Sequence, residues 1–594
     1  MKKRSILAMG TLALVAIGVL GLAACGKKAS QTEEEVKGLV IHYDMSMSDK
    51  RTLTDVSGNG NDGEVFVASG FSVEDGVGFL DGTAIGLPSE VFTGEDEISI
   101  SIWTKDYSGA TNTSLIYLGA DTSSIESYYL LNPSNPSGRL KSVFTNSVNT
   151  AAPYNTEVGV SPTIASNGVQ GPMVGLEWNH FVVVFSGTTM TTYMNGEKIA
   201  DTELSKSLSD FGNIKAYLGR SAYTDDPLYV GFIQDVKIYN EAITQETVTE
   251  LYNEHSDLKE TNATSSEVLI SDRADPYITL GSDGYYYFTA SYPMYGSNDS
   301  EGYDRVILRR ATTIEGLADA EEITIWNQAD SDDTFKYIWA PEIHEINGVW
   351  YVFYTGSVES SNVWAIRPHV LRCTGDDPYT DEWENLGVMV PMEGDTFSFT
   401  GFSLDMTYFE VEGQGYVIWA QTSGNSNLYI ASVDPNQPWI LTSKPMLLTQ
   451  PEYYWEEVLI PVNEGPAVLI HDGKVFVTFS ASATGPEYCV GLIYADATAD
   501  LLDSSSWTKL AEPLLTSEDL VDEYGPGHNS FTVDSEGNYV FVYHSRTKEC
   551  YEGECGYSSY DSLYDPCRSA HVRYVEWDED GLPVLNCGDY LEGK

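Results

Sequence analysis

Positive charge is scarce in this 594-residue chain: 32 Lys and Arg stand against 88 Asp and Glu, a net charge of −56. That balance excludes a general nucleic-acid binder, because contacts to phosphate need clustered Lys and Arg that release counterions. Cysteine is sparse as well, seven in all. After residue 22 no run is long and apolar enough to span a bilayer. Aromatic residues, by contrast, are plentiful: 12 Trp, 39 Tyr and 20 Phe make 12% of the chain, too much apolar material for a solvated disordered polymer. Short Tyr-, Val- and Thr-rich runs alternate with Gly, Asn and Asp clusters, and Gly numbers 52. The pattern reads as mostly β, and the length predicts several domain equivalents instead of a single core.

The first segment is a targeting signal. Lys2, Lys3 and Arg4 precede an apolar run from Ile6 to Leu22, the charged and hydrophobic regions of a secretory leader. The run ends in Leu22-Ala23-Ala24-Cys25-Gly26, which resembles a bacterial lipobox. The resemblance implies cleavage before Cys25 and diacylglyceryl modification of its thiol, two chains being enough for stable anchoring. Residues 1–25 are then the signal and residues 26–37 a tether, and the expected product is a membrane-anchored bacterial lipoprotein facing the cell exterior or periplasm. The competing reading is an uncleaved anchor. Export permits disulfides, and the spacing of Cys550, Cys555, Cys567 and Cys587 predicts that some of them pair within a C-terminal loop, with the connectivity open. A zinc cluster is the weaker reading, since Cys550-x4-Cys555 lacks a close second pair.

Residues 38–255 alternate strands and turns and close on a short helix around Thr244 to Tyr252. Asn195-Gly196 between two β-rich runs is a two-residue hairpin signal, and the alternation at Ile98, Ile100 and Ile102 puts the three on one face. The stretches Leu53–Val65, Glu97–Lys105, Trp178–Ile199 and Ala216–Thr244 together resemble a laminin-G or concanavalin-like β-sandwich, a fold that specifies no ligand by itself. Trp103 and Trp178 read as core or as a sugar platform. Asp55, Asn59 and Asp235 could hold a structural calcium through oxygen ligands; turn chemistry explains them equally. Residues 256–267 are polar and read as a linker.

In residues 268–594 a Gly followed by a β-rich run recurs five times, at Gly284, Gly348, Gly415, Gly473 and Gly537, with spacings of 64, 67, 58 and 64. A β-repeat of that period predicts a five-bladed β-propeller, so the fold class is all-β: a sandwich followed by a propeller. Nine residues before four of these glycines stand Asp275, Trp339, Glu464 and His528, and ten before Gly415 stands Asp405. If each Gly turns the first hairpin of its blade, these residues open the innermost strands and converge on one funnel. Charged groups are rarely collected in a closed space without a task.

The same segments, "RADPYI" from Arg273, "IWAPEIH" from Ile338, "FSLDMTYF" from Phe402, "NEGPAVL" from Asn463 and "GPGHNSF" from Gly525, resemble glycoside hydrolase family 43 in order and spacing. The resemblance implies Asp275 as general base, Glu464 as general acid, and Asp405 as the carboxylate that orients the acid and raises its pKa. It implies Trp339 as a sugar-stacking residue and His528 as a calcium or water ligand, with no cofactor required for the chemistry. Arg568 could reach a sugar hydroxyl. Glu342 is a rival carboxylate out of register, expected to brace its blade. Within the family, "RADPYITLGSDGYYYFTASYP", "DRVILRRATTIEGLADAEEITIW" and "IWAPEIHEINGVWYVFYTG" look most like exo-acting α-L-arabinofuranosidases, which makes arabinan, arabinoxylan or their oligosaccharides the expected partners. A β-xylosidase, a catalytically silent sugar-binding lipoprotein and an adhesin are the alternatives.

Overall fold

A computed structural model describes residues 38–594 except 110–111, 136–137, 146–151, 164–167, 256–257, 259–262, 297, 557–561, 565 and 593. The signal, Cys25 and the tether lie outside the described residues, as does half of the polar segment 256–267.

The N-terminal body is a sandwich of an eight-stranded and a nine-stranded sheet. Glu97–Asp106 and Asn179–Ser186 pair antiparallel in the middle of the first, with Ile100 opposite Val183. The expected inward face holds: Ile98, Ile100 and Ile102 are fully buried in one core with Leu118, Leu131 and Phe144 of the second sheet. Trp103 points to the other face, where it stacks on His180 and Tyr252 and is 1% exposed, which makes it packing and no platform. Asn195 and Gly196 turn their hairpin with φ of +51° and +81°. The closing helix is Gln245–Glu254, capped by Thr244, whose side chain accepts from the Thr247 N–H.

Five blades follow, led by the strands Ala274–Leu280, Trp339–Ile346, Ser403–Val411, Asn463–His471 and Glu523–Val533. Each blade has four strands, with one extra in the third. Val268–Ile270, at the start of this body, pairs with Arg568–Tyr574 near its end. That pairing makes the first strand of this body the outermost strand of the last blade, which ties the two ends of the ring together. The disulfide joins Cys550 to Cys567 just before the closing strand.

The glycines at φ +83°, +76°, +82°, +75° and +88° that turn the first hairpins are Gly284, Gly348, Gly413, Gly473 and Gly537. The third corrects the sequence expectation: Gly415 lies inside the second strand, opposite Glu410, and Gly413 makes the turn. Each innermost strand also carries a bulge near its start, where two residues oppose one on the next strand. The first bulge residues are Asp275, Ala340, Asp405, Gly465 and His528, all at positive φ, from +37° to +55°. Bulges re-aim side chains, and left-handed backbone at four non-glycine positions is held only where the surroundings over-determine it. Here the bulges turn the strand starts toward the ring axis.

Sandwich and propeller pack directly. Phe79, Tyr107 and Phe232 surround Tyr454 with ring centroids 4.8–5.4 Å away, and Lys105 Nζ pairs with Glu518 at 2.8 Å. Gly109, at φ +69°, lies so close to the Leu459 backbone that a Cβ would stand 2.9 Å from its nitrogen. The braced stretch, Tyr454 to Ile460, runs into the strand that bears Glu464. The sandwich therefore buttresses the segment leading to one side of the funnel.

Candidate active site

The funnel is organised by the bulge N–H groups. Four of them donate across to a side chain of the preceding blade: Ala340 to Ser291 Oγ at 2.8 Å, Asp405 to Thr355 Oγ1 at 3.1 Å, His528 to Ser480 Oγ at 2.7 Å and Asp275 to His544 Nδ1 at 3.0 Å. The acceptors stand seven residues after the turn glycines Gly284, Gly348, Gly473 and Gly537. In the third blade that position is Ala420, opposite Leu404, which has no acceptor. The Gly465 N–H instead donates to Asp405 Oδ2 at 3.1 Å. A gap in a fivefold hydrogen-bond ring is thus filled by a carboxylate, and it ties Asp405 to the residue next to Glu464.

Asp275, Trp339, Asp405, Glu464, His528 and Arg568 all line one cavity of about 190 Å3. The register reaches it in two ways. Asp275, Asp405 and His528 are bulge residues, whereas Trp339 and Glu464 precede the small bulge residues Ala340 and Gly465. Arg568 stands 3.4 Å from Asp275 Oδ1 and from the Tyr303 hydroxyl, and its buried Nε has no partner among the described residues, so one donor is left for a ligand. Glu342 is in the same strand as Trp339 but bonds His344 Nε2 at 2.8 Å and does not line the cavity. Cys25 lies outside the described residues.

The carboxylates are set apart electrically. Burial opposes the charge of Asp275, but the cationic His528 and Arg568 outweigh it and hold the group well below the usual carboxylate range. His544 also faces Asp275, and burial depresses it to about 4. It is therefore neutral, and because its Nδ1 accepts the Asp275 N–H, its proton sits on Nε2. The Ser291 hydroxyl donates to Asp275 Oδ2. Glu464 is raised, first by burial and then by the charge of Asp275, against the Tyr488 hydroxyl that donates to Oε1 at 2.8 Å. Asp405 is raised as well, by burial and by Glu464 and Asp275, with His528 opposing. His528 itself is raised: burial opposes its charge, and Asp405, Asp275 and Glu464 overcome it. One buried carboxylate shifted toward the ionised form and another shifted toward the protonated form is the pairing that acid–base chemistry requires.

Three contributors were not visible from the first-strand register. Tyr488 and Trp364 enter from loops, just before the strands Cys489–Asp496 and Ile366–Cys373. His544 had a signal, the position seven residues past the turn glycine, which the displaced Gly415 obscures. Among the described residues, the side chains expected to hold calcium are engaged with protein partners. Asp55 accepts N–H groups from His42, Ser57 and Asn61 at 2.9 Å, which is turn chemistry. Asp235 is engaged by Lys237, His42 and His255. At His528 the nearest carboxylates, Asp275 and Asp405, are 3.4 and 3.8 Å from Nδ1 and already face Arg568 and the Gly465 N–H. A hard cation takes six to eight oxygen ligands, waters among them, of which these two carboxylates would supply a minority.

Comparison with known proteins agrees with the architecture. Residues 80–249 match the concanavalin A-like lectin/glucanases superfamily. An extracellular exo-alpha-(1->5)-L-arabinofuranosidase of Streptomyces avermitilis is 43% identical over 54% of this chain and 63% of its own length. A second enzyme of that name, from Streptomyces chartreusis, is 41% identical over 47% of this chain and 81% of its own. A solved alpha-L-arabinofuranosidase from Lactobacillus brevis is 39% identical over 54% of this chain and 95% of its own, with a TM-score of 0.47. The chain thus spans less than two thirds of the first of these relatives. Residues 265–583, more than half of the chain, match the glycosyl hydrolases family 43, and the protein belongs to that family.

Proposed function

We propose that the funnel hydrolyses terminal α-L-arabinofuranosyl linkages of arabinan or arabinoxylan with inversion at the anomeric carbon. The observation that carries this reading is the opposite setting of two buried carboxylates lining one cavity, Asp275 pushed toward the ionised form by its cationic neighbours and Glu464 pushed toward the protonated form by burial. Asp275 takes a proton from water as the water attacks the anomeric carbon. Glu464 gives its proton to the departing glycosidic oxygen on the other side. Asp405 acts through the Gly465 N–H to hold Glu464 in place. Trp339, packed on Tyr337 with centroids 4.8 Å apart, offers a rigid apolar surface to the sugar ring. A cavity of about 190 Å3 is small for a ligand site and suits a single terminal pentose, in keeping with exo action. The arabinose preference rests on the relatives.

Stereochemistry tests the reading. Proton NMR in the first minutes of hydrolysis of an aryl α-L-arabinofuranoside is expected to show the β-anomer of arabinose before mutarotation, with arabinose released from debranched arabinan and arabinoxylan and no cleavage of xylobiose. The α-anomer appearing first, or a methyl glycoside formed when methanol is present, would make Asp275 a nucleophile of a retaining enzyme.

The leader supports a second proposal, that Cys25 is acylated and holds the enzyme on the outer face of a membrane. Cys25→Ser is expected to abolish metabolic labelling with a radioactive fatty acid and to leave the precursor uncut. Persistent labelling of the variant would sink the lipobox reading.

A further inference from the structure

The sandwich contains a second cavity, of about 400 Å3, on the face of its nine-stranded sheet that turns away from the core. Side chains alternate across a strand. While Ile116, Leu118, Tyr129 and Leu131 fill the core, Tyr117, Tyr128 and Leu130 emerge on the opposite side. The Tyr117 and Tyr128 rings stack there, 5.8 Å apart. Tyr128 donates its hydroxyl to Glu157 Oε1 at 2.7 Å, and Lys141 Nζ pairs with the other Glu157 oxygen at 2.9 Å.

Two hydroxyls in the wall have no such partners. Thr113 and Ser114 are each 1% exposed, both line the cavity, and neither Oγ has a hydrogen-bond partner among the described residues. Buried polar groups are almost always paired, and an unpaired one calls for an occupant. The charges decide what kind. The cavity carries two carboxylates, Glu157 and Asp226, and one ammonium, Lys141, which Glu157 already neutralises. Among the described residues Asp226 accepts a hydrogen bond from the Ser221 hydroxyl, at 2.6 Å, and lies within the field of Lys141. An anion would be repelled. A ligand rich in hydroxyls would donate to Asp226 and lie against tyrosine rings as sugars do against aromatic surfaces.

We propose that this cavity is a non-catalytic binding site for a neutral saccharide unit, separate from the funnel and independent of which glycoside the funnel cleaves. Because sandwich and propeller pack against each other, a polymer held here keeps its other ends at high effective concentration near the funnel. The test is affinity electrophoresis of the full chain carrying Asp275→Asn, which removes turnover, in gels containing arabinan, arabinoxylan, galactan, mixed-linkage glucan or polygalacturonate. Retardation by at least one neutral polymer and none by polygalacturonate is expected, weakened about tenfold by adding Asp226→Ala or Tyr154→Ala. Tyr154 is 57% exposed, so its truncation decides the matter even if Asp226→Ala misfolds. In the otherwise wild-type enzyme these two substitutions should leave kcat on an aryl arabinofuranoside unchanged. The proposal fails if no neutral polymer retards the protein, if the variants migrate like their parent, or if polygalacturonate retards it equally. Absence of arabinofuranoside hydrolysis with retardation intact would overturn the funnel's assignment alone.

Discussion

Asp275→Asn should abolish hydrolysis of every glycoside, activated or natural, with kcat falling about 10⁴-fold, the upper range for loss of a general base. The reason is local and electrostatic. Asp275 is the one cavity carboxylate that cationic neighbours, His528 and Arg568, hold ionised. Asp405 and Glu464 are both pushed toward the protonated form, and neither can take over. The substitution is close to isosteric, and the hydrogen bond to His544 comes from the backbone N–H, so the bulge should persist. Thermal unfolding within a few degrees of wild type would show that. Steady-state kinetics on a p-nitrophenyl arabinofuranoside and on arabino-oligosaccharides would then measure the loss. Retention of more than about a hundredth of wild-type kcat would rule out Asp275 as the base. The wild-type acid limb belongs to the same group. With its pKa depressed, Asp275 stays ionised as pH falls below the ordinary aspartate value of about 3.9, so activity should persist into acid until folding fails.

Glu464→Gln should split substrates by leaving group. An acid matters in proportion to the basicity of the departing oxygen. We expect roughly a 10³-fold loss on oligosaccharides and at most about tenfold on a dinitrophenyl glycoside. The pH profile gives a second readout. Glu464 is raised by burial and by Asp275, so wild-type activity should decline only as pH rises through that elevated value. It shares the cavity with the raised Asp405, and the two lose their protons as a pair, with macroscopic values that belong to neither alone. In Glu464→Gln the basic limb should disappear for activated substrates, because no proton is needed there. Equal losses on both substrate classes, with the limb unchanged, would remove Glu464 from the acid role and leave Tyr488, which donates to its Oε1, as the group to examine.

The sandwich bears on both measurements. Its contacts to Tyr454 and Leu459 brace the approach to Glu464, so kinetic parameters are best measured on the full chain.

Much of this was present in the sequence because its physics is local. Period-two alternation announced the strands, as at Ile98, Ile100 and Ile102, since burying one face of a sheet requires it. Hairpins need positive φ at their turns, so glycine marked four of five blade hairpins correctly. Repetition at a fixed interval told that the five hairpins form one ring, and polar residues at a common offset told that Asp275, Trp339, Asp405, Glu464 and His528 share a cavity. Gly415 was misread because two glycines two residues apart compete for one turn. Only the pairing register, a contact between strands, assigns it to Gly413.

Other features depend on contacts between segments far apart in the chain, and these only the tertiary structure decided. The bulges are visible as a register shift between two strands and in no single strand's composition. The ring of bulge N–H bonds joins residues of neighbouring blades, and Asp405 completes it only because Ala420 lacks an acceptor. The ionisation of Asp275 is set by His528 and Arg568, which arrive from other segments, and the protonation of Glu464 is set first by burial. Desolvation and the distance between charges are properties of the folded state, because in the unfolded chain water screens each of these groups alike. The sequence determined which groups could meet; packing determined which of them carry charge when they do.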